Sequence, residues 1–156
     1  MTRINCIPAE LLLDEHLIAA HREGLRPQNE LLQGKDNTHK APSAYQLKTG
    51  HVLFCRKHLI WTNRQFEQAR AECISRGINI QIYHSSTNGI PQHCLNDYQP
   101  TVTDYRHNLA RICERFRKRK KPYHFKGKKV DDVKEFRLYL SQVKRLLDIQ
   151  QGISSR

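Results

Sequence analysis

The segment PAELLLDEHLIAAHREG, residues 8–24, has the apolar spacing of an amphipathic helix. Pro8 suits the first turn of a helix, because the backbone N–H that proline lacks would have no partner there. Gly24 and Pro27 are helix-ending residues and predict an end near residue 22 or 23. The apolar side of this helix comprises Leu11, Leu12, Leu17 and Ile18.

Three more helices are predicted farther along the chain. A short apolar run at residues 50–54 leads into the first of them, which begins near residue 62 and ends at Gly77. The next opens at Thr101, with Asp104 three residues on as a variant of the capping box. Asp131 and Asp132 suit the start of a fourth helix. The apolar residues at helical spacing are Phe66, Ala69 and Cys73, then Leu109, Ile112, Cys113 and Phe116, and finally Val133, Phe136, Leu140, Val143 and Leu147.

The segments between these helices, notably 25–49 and 85–100, are polar and rich in turn-forming residues. For residues 25–49 this pattern predicts a long surface loop or short helical turns. Residues 78–83 alternate apolar and polar side chains, so a short strand is the alternative there. No set of hairpin-linked runs alternates strictly, which favours helices over a mixed fold. The sequence therefore predicts an all-α, compact single domain of three to four helices with long loops.

The chain is strongly basic, with 27 Lys and Arg against 15 Asp and Glu and a formal net charge of +12. This imbalance favours a polyanionic partner, and nucleic acid is the first candidate. We find no run of about 20 apolar residues, no secretory signal peptide and no lipidation motif. We therefore expect an intracellular, cytoplasmic protein that binds no membrane.

The cysteines and histidines give no metal-binding pattern. The five cysteines have no C-x-x-C spacing, and the nine histidines form no H-E-x-x-H motif. We therefore expect reduced, structural thiols and no bound metal. The cysteines are Cys6, Cys55, Cys73, Cys94 and Cys113.

The free amine of Thr2 is a candidate nucleophile once the initiator Met1 is removed. An α-amino group has a reference pKa of about 7.7–8.0 against about 10.4 for lysine, so roughly a tenth of it is neutral and nucleophilic at pH 7. A neighbouring cation such as Arg3 disfavours the ammonium form further. Every chain has such an amine, so this feature needs support from other residues.

His16 and Glu23 are seven residues apart and share one face of the first helix, with Arg22 and Arg26 close to the carboxylate. A carboxylate among arginines serves catalysis in some proteins, and in others it forms a solvated salt-bridge cluster at a helix end. His16 likewise has two interpretations, a site residue or a structural histidine. Spacing alone does not decide between them.

Residues 115–121 are cationic except for one phenylalanine, and residues 122–128 add aromatic rings among further cations. Cations interleaved with rings suit phosphate contacts together with stacking against bases. A localisation-like or solubilising tract is the alternative. With the net charge of the whole chain, the pattern predicts nucleic-acid binding.

Several segments resemble the phage endonuclease V family of pyrimidine-dimer DNA glycosylases with abasic-site lyase activity. They are MTRIN at residues 1–5, residues 10–23 followed by Arg26, P-x-x-Y-x-L-x-x-G-H-V-x-F at residues 42–54, and A-E-C-x-x-R-G-x-N-I at residues 71–80. Residues 110–115 are similar to the basic helix of that family. The resemblance covers most of residues 1–128. We expect these to form a glycosylase-like domain, with residues 129–156 as a helical extension packed on it.

The resemblance implies a DNA-repair enzyme that acts on cyclobutane pyrimidine dimers in duplex DNA, with no metal and no cofactor. Thr2 and Glu23 match the catalytic positions: the Thr2 amine forms an imine with the deoxyribose, and Glu23 supports β-elimination of the 3′ phosphate. The positions that match DNA-binding residues are Arg3, His16, Arg22, Arg26, Arg111 and Arg115. We expect a monomer whose partner is lesion-containing double-stranded DNA.

Departures from the family pattern leave other functions open. The segment between Arg26 and Pro42 is shorter, two residues are inserted before Pro122, and the aromatic motif of the family is only partly kept at 122–127. A glycosylase and lyase for another damaged base is therefore one alternative. A non-enzymatic, basic DNA- or RNA-binding module is the other, supported by charge and aromatic rings alone.

Overall fold

The computed structural model describes residues 4–150 of the chain, with side chains described for residues 4–148. Helices dominate this part of the chain, so the predicted all-α class is confirmed. The helices are α1 (Asp14–Gly24), α2 (Arg26–Leu32), α3 (His51–Lys57), α4 (Leu59–Ser75), α5 (Val102–Arg117) and α6 (Val133–Gln150). One antiparallel hairpin pairs β1 (Tyr123–Phe125) with β2 (Lys128–Val130).

The described chain has six α-helices where three to four were expected, because two predicted segments contain more helix than their patterns indicate. Pro27 ends α1 as predicted but also lies in the first turn of α2, where proline is well tolerated. The short apolar run from Gly50 to Phe54 was expected only to lead into a helix, and it forms most of α3. Residues 25–49, expected to form a long loop or short helical turns, contain α2 and a 3-10 turn at Thr38–Lys40.

The predicted helix starts near residues 101 and 131 are correct. Thr101 and Asp104 form a reciprocal capping box, in which the Thr101 N–H donates to Asp104 Oδ2 at 2.7 Å. Asp132 Oδ1 accepts a hydrogen bond from the Glu135 N–H at 2.8 Å at the start of α6. Residues 78–83 form no strand in the described chain, so the alternative interpretation of their alternation is wrong.

The main core joins α1, α4, α5 and α6 with the hairpin. Phe116 of α5 and Phe136 of α6 stack with ring centroids 3.8 Å apart, and the buried Tyr139 hydroxyl donates to the Leu11 carbonyl at 2.7 Å. A second apolar cluster surrounds residues 4–6 and includes Tyr45, Phe54, Cys55 and Trp61. No helix in the described part of the chain has both the length and the apolar character to cross a bilayer.

The hairpin is attached to the start of α1. Lys126 and Gly127 both have positive φ, at 51° and 77°, which is the conformation of a tight two-residue hairpin turn. Their backbone N–H groups donate to the Asp14 carboxylate at 3.1 and 2.9 Å. Asp14 also accepts from Arg76 Nη1 at 2.7 Å, so one carboxylate ties the hairpin turn to α1 and α4.

Candidate active site

A cavity of about 240 Å³ opens beside the first described residues of the chain. Its walls come from the N-terminal segment, α1, α5 and β1, with one residue from the loop before α3. Residues that are remote in the sequence therefore meet here only in the folded protein. The polar and charged residues of the walls are Asn5, Glu15, His16, Asn108, Arg111 and Arg115.

Three of the predicted site residues, His16, Arg111 and Arg115, line this cavity. His16 lies on α1, and the two arginines lie four residues apart on α5, so one face of that helix presents both. The His16 ring packs edge-on against the Tyr123 ring, with centroids 5.0 Å apart. Arg111 Nη1 also donates to Glu114 Oε2 at 3.0 Å. The structure thus brings together residues from the first and the third predicted helix.

Glu15 lines the cavity as well and was missed by the sequence analysis. Its Oε1 lies 2.7 Å from His124 Nδ1, and its Oε2 accepts a hydrogen bond from the His124 backbone N–H at 2.9 Å. These contacts hold β1 against α1. No local pattern reveals them, because the two residues are 109 positions apart in the chain.

Glu23 lies in the last turn of α1, on the same helix face as His16. Unlike His16, it does not line the 240 Å³ cavity. Its side chain is 32% exposed, and its Oε2 lies 3.8 Å from Arg26 Nη1. Arg26 Nε donates to Glu30 Oε1 at 3.0 Å. Burial acts to raise the pKa of Glu30, but hydrogen bonds from Arg56 and Arg26 hold it below its usual value. Arg26 is therefore shared between two carboxylates.

Arg22 is exposed and lines a separate cavity of about 590 Å³. His21 lines the same cavity, with its ring stacked on Phe66 at a centroid distance of 5.3 Å. Burial, together with the positive charge of Arg70, lowers the pKa of His21. Its Nε2 has no hydrogen-bond partner among the described residues. Residues 79–81 complete one wall of this cavity.

Thr2 and Arg3 lie outside the described residues, so the predicted nucleophile has no structural account. Ile4 and Asn5 are the first described residues, and both line the 240 Å³ cavity. The Ile4 side chain is 2% exposed, and Asn5 Oδ1 accepts a hydrogen bond from the Ile7 N–H at 3.0 Å. The chain therefore enters the described structure at the cavity wall.

The basic run 115–121 divides into solvated and structural cations. Arg119 is structural, because its guanidinium lies 3.5 Å from the Phe116 ring centroid and donates to the Asp131 carbonyl. The exposed cations of the run are Arg117, Lys118, Lys120 and Lys121. These four follow the cavity arginines in the chain and precede the hairpin, and Lys118 also pairs with Glu114 at 2.9 Å.

One group among the described residues has the ligand types and the closeness to hold a metal ion. It consists of Asp36, His93 and Cys94, whose ligand atoms lie within 4.8 Å of one another. His93 Nε2 lies 2.6 Å from Asp36 Oδ2, and burial raises the pKa of the Cys94 thiol. None of the three lines the cavity described above. The expectation that no metal binds stays a prediction.

The first half of the chain matches a known protein family. A family model described as pyrimidine dimer DNA glycosylase matches residues 1–85, just over half of the chain. The match includes Glu23 and His16, and it ends before α5, which carries Arg111 and Arg115. The chain belongs to the pyrimidine dimer DNA glycosylase family.

Proposed function

We propose that this protein excises cyclobutane pyrimidine dimers and then cleaves the abasic strand through an imine between the Thr2 amine and the deoxyribose. The observation that carries the proposal is the composition of the cavity. Its walls combine Ile4 and Asn5, which follow directly on the N-terminus, with cationic side chains suited to a phosphate-rich substrate. Family membership supplies the class of reaction.

In the proposed reaction, the neutral Thr2 nitrogen attacks C1′ of the 5′ nucleotide of the dimer. The bond from C1′ to the base breaks, and its electron pair leaves with the base, which takes up a proton. The sugar ring then opens, and C1′ and the nitrogen form a protonated imine. Loss of a C2′ proton sends electrons toward the imine, and the 3′ phosphate leaves by β-elimination. Water finally hydrolyses the imine and regenerates the amine.

Glu23 is the group that we assign to C2′ proton removal and to stabilisation of the cationic sugar. Two observations support the assignment. Its side chain is partly exposed, and its 3.8 Å separation from Arg26 exceeds hydrogen-bond length. The carboxylate therefore keeps its capacity to accept a proton or a hydrogen bond from substrate.

DNA binding is proposed to use the cations around both cavities. Phosphates contact Arg111 and Arg115 on one side and Arg22 and Arg26 on the other, with Arg3 and His16 near the lesion. In the family that the chain belongs to, a base opposite the lesion leaves the stack, at a cost of a few kcal/mol. The 590 Å³ cavity beside Arg22 has the size of a small-molecule site, and we assign the displaced base to it.

Residues 1–128 form the DNA-acting domain and residues 129–156 pack on it, a view supported by the α6 residues in the main core. The protein works in the cytoplasm as a monomer. It needs no metal or cofactor, because the imine itself accepts the electrons released during β-elimination. The family match, which describes a DNA glycosylase, favours the enzyme over a non-enzymatic binding module.

Borohydride trapping on a duplex with one cyclobutane thymine dimer tests the proposal. We expect a covalent adduct, and digestion after glutamate then maps the added mass to residues 2–10. An adduct on a lysine would contradict the assigned nucleophile, and no adduct at all would contradict the imine mechanism. Trapping on abasic DNA without excision of dimers would instead favour another damaged base.

A further inference from the structure

The N-terminal segment, residues 4–6, runs through the interior of the protein. Ile4 and Cys6 are each 2% exposed and belong to the apolar cluster around Trp61. Backbone N–H and C=O groups in such surroundings need hydrogen-bond partners, because water does not reach them. The residues that satisfy them determine where residues 4–6 lie.

Tyr45 and Asn108 provide such partners from outside the segment. The Tyr45 hydroxyl donates toward both the Ile4 carbonyl, at 3.3 Å, and Asn108 Oδ1, at 3.2 Å. Asn108 Oδ1 in turn accepts from the Cys6 N–H at 3.4 Å, while its Nδ2 donates to the Asp104 carbonyl at 2.8 Å. The loop before α3 and the helix α5 thus hold the same three residues of the N-terminal segment.

His51, from α3, supports the Tyr45 side of this network. Its side chain is 1% exposed, its Nδ1 lies 2.6 Å from the Gln46 carbonyl, and its ring packs edge-on against the Tyr45 ring with centroids 5.3 Å apart. Burial lowers the pKa of His51, and hydrogen bonding to backbone only partly opposes that effect, so the ring that packs against Tyr45 is neutral at neutral pH.

We propose that Tyr45, His51 and Asn108 are positioning residues for the reactive amine, an inference that rests on the proposed function. Consecutive Cα atoms are about 3.8 Å apart, so the Thr2 nitrogen stays within roughly 9 Å of the Ile4 Cα. Fixing residues 4–6 at the cavity wall therefore limits the volume that the amine explores. A confined nucleophile meets C1′ more often in the reactive geometry, which raises the rate of imine formation without adding contacts to DNA.

Tyr45→Phe tests the proposal because it removes one hydroxyl from the buried network and nothing else. Tyr139→Phe is the matched control. Both tyrosines are 3% exposed and donate to a backbone carbonyl, but Tyr139 donates to Leu11 in the main core. The measurements are the melting temperature, the Kd for an abasic-site duplex, and the single-turnover rate of borohydride trapping at saturating duplex.

We expect Tyr45→Phe to slow trapping about tenfold with Kd changed less than about twofold, since positioning acts on rate rather than on binding. Tyr139→Phe should lower the melting temperature at least as much and leave the trapping rate unchanged. His51→Gln, expected to behave as Tyr45→Phe does, provides a second variant should the first not fold. Equal trapping rates for Tyr45→Phe and Tyr139→Phe would overturn the positioning proposal alone. No adduct from the wild-type protein would overturn the proposed function and this inference with it.

Discussion

The two ends of helix α1 carry acidic side chains in opposite situations. At its start, Asp14 and Glu15 accept hydrogen bonds from the β-hairpin, and Asp14 also accepts one from Arg76. At its end, Glu23 has one ion pair with a described residue, at 3.8 Å from Arg26. Three carboxylates on one helix therefore differ in how much of their acceptor capacity the protein itself uses.

This difference separates a structural carboxylate from one available for chemistry. A carboxylate that already accepts two or three hydrogen bonds from the protein has few lone pairs left for a substrate. A partly exposed carboxylate with one long contact retains free lone pairs beside a cationic surface. The residue type and the position in the helix do not tell a structural carboxylate from an available one. The hydrogen-bond partners of each carboxylate do tell them apart.

The largest effect is expected from Glu23→Gln. Loss of the carboxylate should slow strand cleavage at an abasic site by about 100-fold or more, because general acid–base groups contribute roughly 10²- to 10⁴-fold. The free energy of unfolding should change by less than about 0.5 kcal/mol, as for other surface substitutions. Single-turnover cleavage and urea denaturation measure the two quantities.

Glu15→Gln is the comparison for that experiment, since it makes the same chemical change two helical turns away, at a carboxylate that lines the cavity but already accepts hydrogen bonds from His124. We expect it to retain most of the cleavage rate and to weaken the attachment of the hairpin through His124. If the two variants lost equal activity, the contrast between the ends of α1 would carry no functional meaning.

Asp14→Asn should produce the next largest effect, this time on stability. The amide cannot accept from all of Arg76, Lys126 and Gly127, and the Arg76 side chain is only 6% exposed. We expect a loss of about 2 kcal/mol in the free energy of unfolding, since hydrogen bonds to charged groups contribute roughly 1.5–3 kcal/mol. Asp97→Asn, at an exposed ion pair with Arg64, should cost less than about 1 kcal/mol. Comparable losses for both variants would contradict a special role for the Asp14 network.

The smallest effect is expected from Arg115→Gln at the cavity. Removal of one phosphate contact should weaken duplex binding roughly five- to tenfold and reduce the slope of log K against log salt by about one. Undamaged and dimer-containing duplexes should be affected alike, because phosphate contacts carry no sequence information. Arg137→Gln, on the exposed side of α6, removes the same charge outside the cavity and should leave both quantities nearly unchanged. An unchanged salt slope for Arg115→Gln would remove this arginine from the DNA-binding surface.

Several helix boundaries were predictable because their signals lie within a few residues of each other. The capping box of Thr101 and Asp104 and the cap at Asp132 both formed as expected. The division between α3 and α4 was not predictable, since the apolar run at 50–54 is too short to distinguish a helix from a strand by periodicity. Helix α2 was anticipated only as one of the short helical turns expected in residues 25–49, because Pro27 was interpreted as a helix end.

The sequence by itself determined the helical class, the basic character and the family, because these depend on local spacing, composition and a recognisable motif order. It also nominated His16, Arg111 and Arg115, which the structure then brings to one cavity. Only the tertiary structure decided that Glu15 forms hydrogen bonds with His124. It also decided that residues 4–6 are held by side chains up to 102 positions away in the sequence. Hydrogen bonds act over about 3 Å in space, and no pattern along a chain encodes which distant residues will come that close.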